Sequence, residues 1–172
     1  AYLRLSTRPV DQSLAAVPTD PAARERRRRQ VVAGAYALRR TGRPAVTVVA
    51  MGAVVTEALA AADRLAGLGF AADVVCVTSP GLLFRALQSR RGLDDADSAV
   101  LDTVFPLDRA APMVTVLDGH PHTLAFLTGL HRVRGAHLGV IRFGQSGDLD
   151  SVYRHHGLDA DTIVGAALDL VD

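Results

Sequence analysis

Ala45-Val-Thr-Val-Val-Ala50, running on through Met51-Gly-Ala53 into Val54-Val-Thr-Glu-Ala-Leu-Ala-Ala-Ala-Asp-Arg-Leu-Ala-Gly-Leu68, is a β-branched apolar run, one glycine turn and an Ala-rich helical repeat. The run is continuous rather than alternating, the signature of a strand covered on both faces. Three more units of the same kind follow. Ala71–Val77 precedes a helix with Ser79 as N-cap and Pro80 at its first position, running towards Arg90. Met113–Leu117 precedes a helix over His122–His131. His137–Ile141 precedes two short helices, one ending near His156 with Gly157 as its C-cap, the other over Ala160–Val171. Strands alternating with helices at this spacing predict an α/β fold: a three-layer αβα sandwich around a mostly parallel, mixed sheet of about five strands.

Working outward, the pattern weakens between Gly92 and Pro112, where Asp94, Asp95 and Asp97 and the pair Phe105-Pro106 predict an irregular excursion at the sheet edge or a partner surface. Upstream, Val31, Val32, Ala35 and Leu38 recur at helical spacing and predict one helix from Pro21 to Arg40, with Gly42 beyond its end. Residues 9–21, rich in Pro and Asp, read as a linker. Residues 1–8 alternate as a strand and begin without Met, as if cut from a longer chain. One domain is the expected count for 172 residues that are 49% apolar.

The formal charge is only +1 and names no partner. The single cysteine, Cys76, lies inside an apolar strand and reads as a buried small side chain in a reducing, cytoplasmic setting. No apolar run approaches the ~20 residues of a membrane span, so no membrane partner is expected. Arg24-Glu-Arg-Arg-Arg-Arg29 is the one basic cluster, but it lacks interleaved aromatics. It reads as a solvated or interdomain face rather than a nucleic-acid site.

Candidate chemistry gathers at strand ends. Asp118, His120 and His122 follow a parallel strand at the edge where open α/β sheets bind ligands. No fourth ligand lies nearby in sequence, so helix capping by Asp118 or Thr123, or an interface hydrogen bond, is preferred over a metal. Gly52 alone makes a weak phosphate turn. Gly144-Gln145-Ser146-Gly147 lacks the glycine spacing of a nucleophile elbow, and Ser146 and Asp148 read as helix caps. Arg154, His155 and His156 close a helix, where they either stabilise its C-terminus or contact another domain or subunit.

Several of these stretches together resemble one family: Ala1-Tyr-Leu-Arg-Leu-Ser-Thr7, Gln30–Leu38, Val46–Leu65, Ala72–Ser79 and above all Phe143–Leu168 with its Arg154-His-His and Asp161-Thr-Ile-Val. They are similar to the carboxy-terminal domain of the transketolase superfamily, closest to the homodimeric thiamine-diphosphate-dependent decarboxylase component of the pyruvate dehydrogenase complex. The resemblance implies a parent of three αβα domains, with residues 1–8 as the last strand of the pyrimidine-binding domain and 22–172 as the carboxy-terminal domain. It implies thiamine diphosphate and Mg²⁺ held between the other two domains of opposite subunits, whose Gly-Asp-Gly motif and activating Glu are absent here. This chain is then non-catalytic and holds no cofactor itself. Its partners are the parent's pyrimidine- and diphosphate-binding domains, the second subunit and, through the parent, a lipoyl-bearing acetyltransferase that takes the acetyl group from pyruvate. Arg8 falls near a substrate-phosphate position of sugar-phosphate-using relatives, which keeps a transketolase-type ketol transferase as the alternative parent. A free-standing ligand-binding module is the third reading.

Overall fold

The computed structural model describes residues 9–172, so the strand expected over residues 1–8, with Arg8, lies outside the described residues. Residues 9–20 run over the surface through a 3-10 turn at Gln12–Ala15, which Asp11 caps by accepting from the Ser13 N–H at 2.8 Å. Asp20 caps helix α1, Pro21–Ala33, where Pro21 loses nothing by lacking an N–H.

The helix predicted to reach Arg40 ends at Gly34, and strand β1, Ala35–Arg39, takes over. Gly34 has φ +120°, and a Cβ there would lie 2.9 Å from the Ser79 carbonyl oxygen. Its own carbonyl accepts from the Thr78 and Ser79 N–H groups at 2.9 and 3.0 Å. A left-handed turn this closely packed suits glycine, and it redirects the chain from a helix into an edge strand.

β2, Val46–Met51, leads through a 3-10 turn at Gly52–Val54 into α2, Val55–Gly67. β3, Ala72–Val77, leads into α3, Pro80–Ser89, whose N-cap is Ser79 as the sequence implies. The stretch expected to be irregular contains α4, Ala99–Val104, with Val100, Leu101 and Val104 buried. It therefore covers core rather than forming a loose excursion. β4 is Met113–Leu117. The helix expected over His122–His131 is only α5, His122–Ala125, before it tightens into 3-10 turns at Phe126–Leu130. β5 is Gly135–Leu138, two residues earlier than the predicted start, and α6, Leu149–His156, and α7, Ala160–Val171, close the chain.

The five strands lie in the order β1-β3-β2-β4-β5, parallel except for β1, which pairs antiparallel with β3. Alternate residues of the central strands face opposite layers, as period-two geometry requires. Val46, Val48 and Ala50 meet α2, α7 and Tyr153 on one face. Val49, Val75, Val77, Met113 and Leu117 meet α3, α4 and the Leu124–Leu127 turn on the other. The three-layer αβα sandwich with a mixed five-stranded sheet is the fold the sequence implies.

Candidate functional site

Two polar assemblies sit at opposite ends of this sheet. At the N-terminal end of the parallel strands, Asp73 is fully buried. Its carboxylate accepts from Arg40 Nη1 at 2.8 Å, the Thr41 N–H at 2.8 Å, Thr41 Oγ1 at 2.9 Å and Arg109 Nη2 at 3.0 Å. Arg40 also donates to the Val104 carbonyl, and Arg109 to those of Thr41 and Gly42. Burial alone would raise the Asp73 pKa, but Arg40, the Thr41 N–H, Arg109 and the Thr41 hydroxyl outweigh it and hold the carboxyl below its ordinary value. Both carboxylate oxygens are engaged inside this knot, which joins the end of β1, β3, the end of α4 and Arg109. It is a structural staple.

The C-terminal end holds the clefts. The chain moves to one side after β2 and to the other after β4, so a crevice opens where those strands end, the position at which open α/β sheets bind ligands. A cleft of about 320 Å³ lies there, lined by Ala53 after β2, Asp118 after β4 and Val140 after β5, with Gln145, Tyr153 and His156 across from them. Gly139 makes this approach possible: a Cβ there would lie 2.5 Å from the Gly119 carbonyl oxygen, which accepts from the Val140 N–H at 2.8 Å. Gly144, with φ +35°, joins the same wall.

Of the residues singled out by sequence, Asp118, Gly144, Gln145 and His156 therefore come together. His120 and His122 do not join them. Their ring centroids lie 4.5 Å apart with the planes tilted by 60°, and His120 Nδ1 accepts the His122 N–H at 3.4 Å. Asp118 and Thr123 cap nothing, because Pro121 opens α5 without a side-chain cap. Ser146 is exposed, and Asp148 alone caps α6, accepting from Ser151 N and Oγ at 2.9 and 2.7 Å. Arg154 and His155 are exposed at the end of α6, with the His155 and His156 rings 4.9 Å apart, and Gly157 is the left-handed C-cap. Among the described residues no group of three or more His, Cys, Asp or Glu is placed to hold a metal.

The arginine run divides its work. Arg24 donates to the Pro18 carbonyl at 3.0 Å and Arg27 to that of Ala15 at 3.2 Å, while Arg27 also lies 4.6 Å above the Tyr36 ring. Arg28 pairs with Glu25. Two of these arginines thus pin residues 15–18 against the domain. Tyr36 faces Cys76 across the β1–β3 pair, and burial pushes the Tyr36 hydroxyl and the Cys76 thiol above their ordinary pKa values. Cys76 is half-buried rather than a core residue.

Sequence reading missed Asp73, whose signal was a carboxylate inside an apolar strand, and His137. His137 Nδ1 lies 2.9 Å from the buried Thr115 Oγ1, and burial lowers its pKa.

An open αβα domain with its polar clefts at the C-terminal sheet edge, its staple at the other end and no metal cluster among the described residues is the class defined by these features. Residues 34–159 match the family described as the transketolase-like TK C-terminal domain, and the chain belongs to that family. It is 32% identical to the chromosomal transketolase of Cupriavidus necator over 145 residues, covering 84% of this chain but 19% of that protein. A transketolase structure from Campylobacter jejuni is similar in fold, with a TM-score of 0.60, 23% identity and coverage of 79% of this chain and 18% of the other. So is a structure described as a split-gene transketolase, an inactive β4 tetramer, at TM-score 0.58, 21% identity and coverage of 81% and 42%. The chain thus spans about a fifth of the length of the curated relatives it matches.

Proposed function

We propose that this chain is the carboxy-terminal domain of a thiamine-diphosphate-dependent ketol transferase of the transketolase type, acting through contacts with other domains and a second subunit rather than through chemistry of its own. The observation that carries this reading is the family match over residues 34–159 together with 32% identity to a transketolase. In this reading thiamine diphosphate and Mg²⁺ are held by the pyrimidine- and diphosphate-binding domains of the parent.

Two features support a contact role. Ile141 and Phe143 of the loop before α6 and Leu149 at its first position stand exposed, Phe143 completely so, and exposed apolar side chains grouped along one segment suit an interaction surface. Arg154 and His155 are exposed near the end of the same helix. Residues 9–21, held down by Arg24 and Arg27, would be the linker from a preceding pyrimidine-binding domain.

The pyruvate dehydrogenase reading rests on the Arg154-His-His sequence before Gly157, and the relatives favour the ketol transferase over it. Nothing in the comparisons supports a lipoyl-bearing partner. The full-length parent, supplied with thiamine diphosphate and Mg²⁺, separates the two. Transfer of a two-carbon ketol unit between sugar phosphates supports the proposal, whereas consumption of pyruvate without ketol transfer replaces it with the second reading.

A further inference from the structure

A second cleft, of about 360 Å³, lies on the other side of His156 from the one that holds Asp118. Arg142 of the loop after β5 and His155 and His156 of α6 supply its polar wall, Leu138 and Ile141 its apolar one, and β5 borders it at His137. No carboxylate lines it. Such one-sided chemistry is unusual in a chain whose net charge is only +1, where acidic and basic groups are otherwise nearly balanced. Several of the domain's other arginines meet carboxylates: Arg28 meets Glu25, Arg39 meets Asp63, Arg64 meets Asp161, Arg85 meets Asp94 and Arg90 meets Asp102. Arg142 has no such partner among the described residues.

We infer that this cleft is an oxyanion site, taking a phosphate monoester with a short organic body. A guanidinium presents a planar fork of donors and each imidazole at least one more. The wall thus offers more donors than the two oxygens of a carboxylate can accept, and it suits the three terminal oxygens of a phosphate monoester. The volume exceeds that of a bare phosphate, and Leu138 and Ile141 provide the surface for a carbon chain. His155 and His156 are the last residues of α6, which the left-handed Gly157 stops, and their rings lie 4.9 Å apart. The inference is independent of the parent's reaction, since the cleft is built from this domain alone.

Calorimetric titration of the full-length protein with inorganic phosphate, and with acetate as the planar comparison, tests it. The same titration is run on Arg142→Gln, His155→Gln and, as the control outside the cleft, Arg154→Gln. Removing one charge-assisted hydrogen bond is expected to weaken phosphate about tenfold in Arg142→Gln and several-fold in His155→Gln, with Arg154→Gln unchanged. All three side chains are on the surface, so the variants should melt with the parent protein and the comparison stays interpretable. Absence of phosphate binding, equal weakening by Arg154→Gln, or no weakening by Arg142→Gln overturns the site. Acetate binding as tightly as phosphate overturns the assignment to phosphate.

Discussion

Asp73→Asn keeps the shape of the side chain but replaces an acceptor-only carboxylate with an amide that must aim two N–H donors at the same guanidinium groups. Asp73 has no exposure, while the Arg40 and Arg109 side chains are 30% and 21% exposed, so the cations can partly rehydrate when their anion is lost. Breaking a buried ion pair from one side costs about 3–5 kcal/mol, and this rehydration puts the expected loss at the lower end, about 3 kcal/mol. For a chain of this size that is about 6–12 °C in melting temperature. The assay is urea unfolding followed by circular dichroism, read as a lower midpoint at unchanged slope.

The pH dependence supplies a second reading. A carboxyl held below its ordinary value stabilises the fold above the unfolded-state pKa of about 3.9, and that stabilisation disappears as pH falls through the folded value. The parent protein should therefore lose stability below about pH 4 more steeply than Asp73→Asn. A loss under about 1 kcal/mol, or parallel acid unfolding of the two proteins, would refute the staple, since surface pairs contribute no more than that.

Two further outcomes follow from the same geometry. Arg27→Ala removes the donation to the Ala15 carbonyl and the stacking on Tyr36, so residues 12–18 should become several-fold more sensitive to proteinase K while the melting temperature barely moves; equal sensitivity would show that these contacts do not hold the segment. His137 has its pKa lowered by burial, so the unfolded chain takes up that proton first and stability falls as pH drops below about 6.5. His137→Gln should flatten the melting temperature between pH 7.5 and 5.5, and an unchanged slope would remove His137 as its source.

How much of this was legible in the sequence depended on how each element is stabilised. β2, β3 and β4 were readable because strands buried on both faces must be continuously apolar, and their helices because caps such as Ser79 and Gly157 are local chemistry. β1 was not, because Val31, Val32, Ala35 and Leu38 satisfy a helical period even though Gly34 breaks the helix midway. What makes Gly34 a stop rather than a tolerated helix residue is the Ser79 carbonyl pressed against it, a contact from a distant turn. α4 was hidden by its shortness, and its role appears only where Val100, Leu101 and Val104 meet the core. Among the site residues, Asp118 was placed correctly at a strand end. Its meeting with Gln145 and His156 depends on α6 folding back over the sheet, which no local pattern encodes. His120 and His122, separated only by Pro121, turned instead to each other.

The separation of Asp73 from the clefts bears on how such a domain can diversify. The groups that fasten β1, β3 and α4 are all at the sheet end opposite the β2, β4 and β5 termini, so the loops at Gly52, Asp118 and Ile141–Asp148 can be exchanged without touching a buried charge. A graft of those loops from a relative should fold on this scaffold and change only what the surface recognises, whereas the same exchange at Arg40–Gly42 would remove the fastening itself.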